Sequence, residues 1–310
     1  MDIILLLAGL ALVVFGSDWL VDGASAIARK AHISEFVIGL TIVGFGTSCP
    51  ELVVSLTGAL QGNADVSLGN VVGSNVFNTL LILGVTGLIS PLVITRTNSR
   101  RDLPIMLGVT LFFILISLKG EINFVDGIVM LLVFAAYMFI CFKYDKQETC
   151  AEEESAQKKD LPLLVAILLT LAGFAGLVFG GRLFVDNAVS LAHRIGVSDK
   201  VIAVTLLAGG TSLPELVTCI VAAVKGKCQL ALGNIIGSNI FNILLILGIS
   251  SLVHPLGMQG MSMYDFGVLG LSAVLLFLAP YIGRKNCLDR FDAVLLLLLE
   301  AAYGASLILV

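Results

Sequence analysis

Two carboxylates stand inside long apolar segments of the chain, and the same polar residues precede each of them. Residues 46–51 read GTSCPE and residues 210–215 read GTSLPE, which places Glu51 and Glu215 in equivalent positions. A charged side chain at the centre of a membrane span costs roughly 2.5–3.5 kcal/mol on insertion scales, and it usually faces a cavity or a partner. No Lys or Arg occurs near either glutamate in its apolar segment. The pair is therefore a candidate for binding a cation.

The proline of each motif adds a second property. Pro50 and Pro214 each remove a backbone hydrogen bond to the residue four positions earlier, so the carbonyls of Gly46 and Gly210 are predicted to be freed. Irregular backbone at membrane depth is tolerated only where it is buried in protein or lines a water-filled cavity. We expect carbonyl oxygens and a carboxylate to face one cavity in each copy.

A second motif follows each of these segments. Residues 69–78 read GNVVGSNVFN and residues 233–242 read GNIIGSNIFN. Ser74 and Asn78 are four residues apart and share one helix face, as do Ser238 and Asn242. Their oxygens, together with those of Ser48 and Ser212, are predicted to hold Na⁺. Four other asparagines could instead hydrogen-bond between helices; these are Asn70, Asn75, Asn234 and Asn239.

The ligand set favours a calcium-sized cation. Two carboxylates and two freed carbonyls give six hard oxygens and two negative charges. Ca²⁺ takes six to eight oxygen ligands, so this set fits it, whereas Mg²⁺ gives up its bound water reluctantly. Transition metals prefer His or Cys ligands. The three histidines all fall near predicted span ends, and the position of Cys49 is occupied by Leu213 in the second motif.

The composition shows what kind of protein carries these motifs. Of 310 residues, 58% are hydrophobic and 13% are charged, far from the quarter that is charged in soluble domains. Apolar runs of membrane-spanning length recur throughout and predict an all-α polytopic membrane protein. No basic stripe suggests a nucleic-acid partner, and HExxH and GxSxG motifs are absent, which argues against an enzyme. The ten predicted spans are 3–30, 35–61, 65–89, 102–119, 124–143, 161–193, 199–224, 229–253, 263–283 and 291–309.

The chain contains an internal duplication. Residues 39–92 align without a gap with residues 203–256, and 26 of the 54 positions are identical. At the same offset the match extends upstream, where GSDWLVDGA (16–24) faces GGRLFVDNA (180–188). Span two and span seven are separated by five crossings, so the copies run in opposite directions. Such inverted-topology repeats are typical of secondary transporters, whose sites lie at the midplane between the repeats. We therefore predict a first five-helix repeat at 1–142, an acidic linker at 143–160 and a second repeat at 161–310, with spans two and seven broken.

Basic residues predict the orientation in the membrane. Loops on one face hold 14 of the 18 Lys and Arg residues and loops on the other face hold 3. Because basic loops stay in the cytoplasm, the linker is predicted to be cytoplasmic. The protein is expected in the cell (inner) membrane, with both termini on the outer side. No cofactor is expected, and the protein is predicted to function as a monomer.

The doubled motif resembles the cation/Ca²⁺ exchanger superfamily, and within it the prokaryotic Na⁺/Ca²⁺ exchanger type, over essentially the whole chain. The resemblance implies a core of spans two, three, seven and eight, across which the long spans one and six slide to alternate access. It implies that Glu51 and Glu215 are shared ligands of Ca²⁺ and Na⁺, together with the backbone carbonyls of Thr47 and Thr211. It further implies Na⁺ sites at Ser48, Ser74, Ser212 and Ser238, and a central site lined by Asn78 and Asn242.

One position departs from the family pattern. Well-known members have an aspartate at the position of Asn242, whereas both twins are amides in this chain. The departure leaves the coupling ion and its stoichiometry open. The expected function is an antiporter that extrudes Ca²⁺ in exchange for Na⁺; the alternatives are H⁺ or K⁺ as a coupling ion, and a passive cation channel.

Overall fold

The computed structural model describes residues 2–144, 161–194, 208–282 and 284–309. The predicted linker at 143–160 lies outside the described residues from 145 onward. Residues 199–207, the first part of the seventh predicted span, also lie outside them.

Helices make up most of the described chain, as the continuous apolar runs predicted. Two short antiparallel ribbons complete the fold, one formed by β1 (Leu92–Val93) and β4 (Cys287–Leu288), the other by β2 (Glu121–Ile122) and β3 (Leu256–Gly257). Each ribbon joins a loop of the first half to a loop of the second. The helices are α1 Asp2–Ala31, α2 Glu35–Thr47, α3 Cys49–Leu60, α4 Ala64–Ile89, α5 Leu103–Ser117, α6 Phe124–Lys143, α7 Leu163–Arg194, α8 Ala208–Thr211, α9 Leu213–Val224, α10 Cys228–Val253, α11 Met263–Leu278 and α12 Arg290–Leu309.

Several of these helices are long and apolar enough to cross a bilayer. By length and composition, five described helices qualify singly, namely α1, α4, α6, α7 and α10. The pair α2 and α3 forms one further span that bends by 48° at its break. Helices α9 and α11 are apolar but shorter. A polytopic helical membrane protein with a broken second span is thereby confirmed.

The two longest helices pack against each other in opposite directions along a seam of small residues. A Cβ at Gly16 of α1 would lie 2.9 Å from the carbonyl oxygen of Gly173 of α7, and a Cβ at Gly9 would lie 2.9 Å from that of Gly180. Small residues at such positions let membrane helices approach closely enough for backbone contact. Helices α1 and α7, which occupy equivalent places in the two repeats, therefore form an antiparallel pair.

Helices α4 and α10 form the buried centre of the protein. Within each, one turn widens to a π-helical turn, at Asn78–Ile82 in α4 and at Phe241–Ile246 in α10. Turns of this kind occur mostly as single insertions inside α-helices and are frequent at functional sites. No residue type marks a π turn, so the sequence alone does not predict them.

Helix α10 also lies against the backbone of α2. A Cβ at Gly237 would overlap the carbonyl oxygen of Leu40, and a Cβ at Gly233 would overlap that of Phe36. Because the opposing atoms belong to the main chain, neither helix can yield by changing a rotamer. The glycines of the second motif thus bring α2, which leads to Glu51, against α10.

We expect Gly237→Ala to destabilise the protein by about 1–3 kcal/mol, the usual cost of overpacking a filled interior. The measurement is the midpoint of thermal unfolding in detergent. The matched control is Gly108→Ala in α5, where an added Cβ meets nothing within 4 Å among the described residues. Equal midpoints for the two variants would contradict the close packing of α2 and α10.

Candidate cation-binding site

The second span is broken at Ser48, as the proline predicted. Helix α3 begins at Cys49 with Pro50 in its first turn, and Ser48 is in neither helix. Across the break, the backbone N–H of Ser48 donates to Gly44 and that of Leu52 donates to Ser48. The second repeat has the equivalent arrangement, in which α8 ends before Ser212 and α9 begins after it.

The two breaks exchange hydrogen bonds between the repeats. The hydroxyl of Ser48 donates to Oε1 of Glu215 over 2.9 Å, and the hydroxyl of Ser212 donates to Oε1 of Glu51 over 3.0 Å. Both glutamates are 1% exposed. Each carboxylate is therefore held by the serine of the other repeat, and the two GTS-PE motifs form one buried site.

Five buried oxygens of the predicted site residues have no hydrogen-bond partner among the described residues. They are Oε2 of Glu51 and of Glu215, Oγ of Ser74, and Oδ1 of Asn78 and of Asn242. Buried polar atoms in native proteins are almost always hydrogen-bonded, so each exception calls for an explanation such as a bound ion. Two carboxylates, two amide oxygens and a hydroxyl constitute a donor set for a hard cation.

Asn70, Ser74 and Asn78 form a stripe along α4, and Asn70 contacts α3. The side-chain amide of Asn70 donates to the carbonyl oxygen of Glu51 over 3.1 Å and to the hydroxyl of Ser55 over 2.9 Å. Positions four apart share a helix face. Asn70 therefore lies beside the first glutamate and ties α4 to α3, as the interhelical interpretation predicted.

Asn234, Ser238 and Asn242 form the equivalent stripe on α10, and this stripe faces the first repeat. The hydroxyl of Thr47 donates to Oδ1 of Asn234 over 3.2 Å, and that of Ser238 lies 3.5 Å from the carbonyl oxygen of Gly44. All three residues of the stripe are buried. The second repeat thus supplies polar groups to the break in the first.

Four asparagine amides, two from α4 and two from α10, join the two repeats at the centre. The amide nitrogen of Asn78 donates to Oδ1 of Asn239 over 3.2 Å, and that of Asn242 donates to Oδ1 of Asn75 over 2.9 Å. The structure thereby connects the predicted ligands Asn78 and Asn242 to the opposite repeat. Asn75 and Asn239 serve as interhelical hydrogen-bond partners, one of the two roles that the sequence left open.

A cavity of about 610 Å³ leads toward the site from one side. Its walls are α3, α7, the start of α4, and the break between α8 and α9; Cys49, Pro50, Asn70 and Thr211 are among the residues that line it. The predicted ligand Thr211 is half-buried at this cavity, whereas its twin Thr47 is fully buried. The two repeats are therefore not in equivalent states.

The equivalent surfaces on the other side are in contact. The hydroxyl of Ser17 in α1 lies 3.3 Å from that of Thr218 in α9, whereas the twin positions, Gly181 and Val54, line the cavity. Nζ of Lys225 lies 2.6 Å from Oδ1 of Asp18 and 2.7 Å from Oδ1 of Asp22. Helix α1 is thus held against α9 by polar contacts, while α7 is separated from α3.

The ionic contacts of Lys225 were missed by the sequence analysis. The twin of Lys225 is Gln61, and those of Asp18 and Asp22 are Arg182 and Asp186. A difference between the repeats at these positions was visible in the alignment. Nothing in the sequence, however, indicated that α1 and α9 bring the three charges together.

Comparisons with known proteins agree with this architecture. The family model described as sodium/calcium exchanger protein matches residues 1–143 and 165–309. The sodium/calcium exchanger MaX1 of Methanosarcina acetivorans is 34% identical, with 97% of each chain covered. The putative antiporter CaxA of Alkalimonas amylolytica is also 34% identical, over 97% of this chain and 96% of that one.

A solved structure is similar over almost the entire length. The sodium-calcium exchanger NCX_Mj, in a crystal soaked with Na⁺ and Sr²⁺, matches with a TM-score of 0.86 and 33% identity, covering 98% of this chain and 97% of that one. The chain belongs to the sodium/calcium exchanger family. Exchangers of this family transport Ca²⁺ and Na⁺ as substrates, so the predicted class, a membrane transporter that is not an enzyme, is confirmed.

The site chemistry is that expected of an exchanger for hard cations. Among the described residues, no group of three or more His, Cys, Asp or Glu side chains is arranged to hold a metal ion. The buried pair of carboxylates is instead surrounded by hydroxyls and amides. Neutral oxygens of this kind suit Na⁺ and Ca²⁺, whereas transition metals would require nitrogen or sulfur ligands.

The cavity predicts which thiol is reactive. Cys49 is half-buried and lines the cavity, whereas Cys141, Cys219, Cys228 and Cys287 are buried. We expect a maleimide to add to one thiol per chain in detergent-solubilised Cys150→Ser protein, and to none in Cys49→Ser/Cys150→Ser. Intact-protein mass spectrometry measures the adduct. Failure of Cys49 to react in the folded protein would contradict the cavity.

Proposed function

We propose that this chain is a secondary active antiporter that exchanges Ca²⁺ for Na⁺ by alternating access and thereby extrudes Ca²⁺. The observation that carries the proposal is the pair of buried glutamates, Glu51 and Glu215, each held by a serine of the opposite repeat and each with one carboxylate oxygen that has no partner among the described residues. The names of MaX1 and NCX_Mj support the choice of ions.

The ligands follow from the positions of the oxygens. Glu51 and Glu215 bind Ca²⁺ or, in the other half of the cycle, Na⁺. The two breaks in the helices supply backbone carbonyls, those of Thr47 and Thr211. The remaining Na⁺ ligands are Ser48, Ser74, Ser212 and Ser238, while Asn78 and Asn242 line the central site.

Charge neutralisation couples binding to movement. When no cation is bound, the two buried carboxylates are charged, and moving the apolar surface of α1 and α7 over them costs free energy. Sliding of α1 and α7 over the core is therefore slow in the unloaded protein. One Ca²⁺ or several Na⁺ ions remove that cost. The same requirement prevents uncoupled leak, because the unloaded site does not change sides.

The first experiment measures ⁴⁵Ca²⁺ uptake into proteoliposomes with an outward Na⁺ gradient, an outward H⁺ gradient or none. We expect uptake with the Na⁺ gradient, and at least a hundredfold less in Glu51→Gln and Glu215→Gln, because each change removes one of the two negative charges of the site. The matched control is Glu300→Gln, which neutralises a half-buried carboxylate of α12 outside the site and is expected to leave uptake unchanged.

The alternatives give different results in the same experiment. Uptake with the H⁺ gradient alone would identify protons as the neutralising ions, and a requirement for K⁺ would add a third substrate. Uptake without any gradient, at rates above transporter turnover, would indicate a channel. Wild-type uptake in both glutamine variants would overturn the assignment of the site.

We also propose that the protein is a monomer in the cell (inner) membrane, with a cytoplasmic linker and both termini outside. In this orientation the cavity beside α7 opens to the outside. We expect an impermeant thiol reagent to label Cys49 in right-side-out vesicles of the Cys150→Ser protein. In the Cys49→Ser protein, Cys150 of the linker should react only in inside-out vesicles. The reverse pattern would invert the topology.

A further inference from the structure

Each of the two amides proposed to line the central site has its nitrogen occupied. Nδ2 of Asn78 donates to Oδ1 of Asn239, and Nδ2 of Asn242 donates to Oδ1 of Asn75. An asparagine side chain carries its donor and its acceptor on opposite branches. Because each nitrogen is held by an asparagine of the opposite repeat, Oδ1 of Asn78 and Oδ1 of Asn242 point away from that asparagine. Neither oxygen has a partner among the described residues.

The amide of Asn239 is itself oriented by a hydroxyl. Its Nδ2 donates to Oγ1 of Thr79 over 2.9 Å, and the sulfur of Met106, a weak acceptor, lies 3.9 Å away. This bond determines that the oxygen of Asn239, and not its nitrogen, faces Asn78. Thr79 is 1% exposed and follows Asn78 directly in the π turn of α4.

The amide of Asn75 is oriented by the main chain instead. Its Nδ2 donates to the carbonyl oxygen of Asn239 over 3.1 Å, which leaves its Oδ1 to accept from Asn242. The twin of Thr79 is Ile243, which has no hydroxyl. Thr79 therefore fixes the side-chain amide of Asn239, which faces Asn78, whereas the main chain of Asn239 fixes the amide of Asn75, which faces Asn242.

We propose that Thr79, Asn239 and Asn75 are positioning residues that set the rotation of the two amides at the central site, so that carbonyl oxygens and not N–H groups face the transported cation. The proposal rests on the proposed function and specifies how the neutral part of the site is made selective for cations. A rotated amide would present a hydrogen-bond donor to a positive charge. Outer-shell hydrogen bonds orient the ligands of metal sites in the same way.

The test is Thr79→Val, which keeps the shape of the side chain and removes the acceptor. We expect the Ca²⁺ concentration for half-maximal uptake to rise about tenfold, the lower end of what loss of an outer-shell partner costs a metal site, with little change in the maximal rate. Thr79→Ser restores a hydroxyl and should return the half-saturating concentration close to that of the wild type. Asn75→Ala, which leaves Nδ2 of Asn242 without its acceptor, should raise it as well.

The matched control is Thr86→Val in the same helix. Thr86 is equally buried, and its hydroxyl donates to the carbonyl oxygen of Ile82 within its own helix over 2.6 Å. We expect its half-saturating concentration to equal that of the wild type. A general cost of removing a buried threonine hydroxyl would affect both positions alike.

The proposal is overturned if Thr79→Val keeps the wild-type half-saturating concentration, or if Thr79→Val and Thr86→Val change uptake equally. It is also overturned if Thr79→Ser behaves like Thr79→Val. These outcomes require active wild-type protein, whereas absence of gradient-driven uptake by the wild type would count against the proposed function itself.

Discussion

The structure depends on one constraint, the cost of placing two carboxylates inside a membrane protein. Oxygens that lose water must find other partners, and an unpaired charge in the interior is more costly than any single packing contact. Ser48 and Ser212 meet part of this requirement by donating across the repeats. The two spans are broken at these same serines. In each repeat the serine lies outside a regular helix and a proline follows it, so the helix is interrupted beside the carboxylate. Charge, helix break and inter-repeat contact are therefore parts of a single arrangement.

The duplication gives the two halves of the site the same residues, but the two halves are packed differently. Equivalent residues are in contact between α1 and α9 and line an open cavity between α7 and α3. Lys225 adds ion pairs with Asp18 and Asp22 on the closed side, and its twin, Gln61, cannot form them. An inverted repeat lets one set of helices form either closed face, because each half offers the same surface in the opposite direction. The charged residues at these positions differ between the halves.

Close contact between backbones brings the helices of the site together. Gly233 and Gly237 bring α10 onto the main chain of α2, and small residues along α1 and α7 do the same for the long pair. Hydrophobic driving force does not hold helices together in lipid, so packing and interhelical hydrogen bonds must. The amides between α4 and α10 illustrate this, because their hydrogen bonds link the repeats and also direct the carbonyl oxygens of Asn78 and Asn242.

The sequence by itself determined the helical membrane class, the duplication and the residue types of the site, because hydropathy and the repeated motifs are local signals. It predicted the break at Pro50, since proline cannot continue the hydrogen-bond ladder. The pairing of Ser48 with Glu215, residues 167 apart, required the tertiary structure, because no local pattern encodes which repeat supplies the donor. The π turns and the role of Thr79 depended on it too, for an amide's orientation follows from its neighbours and not from its own residue type. The open side was likewise decided by packing, since the motifs are the same in both halves.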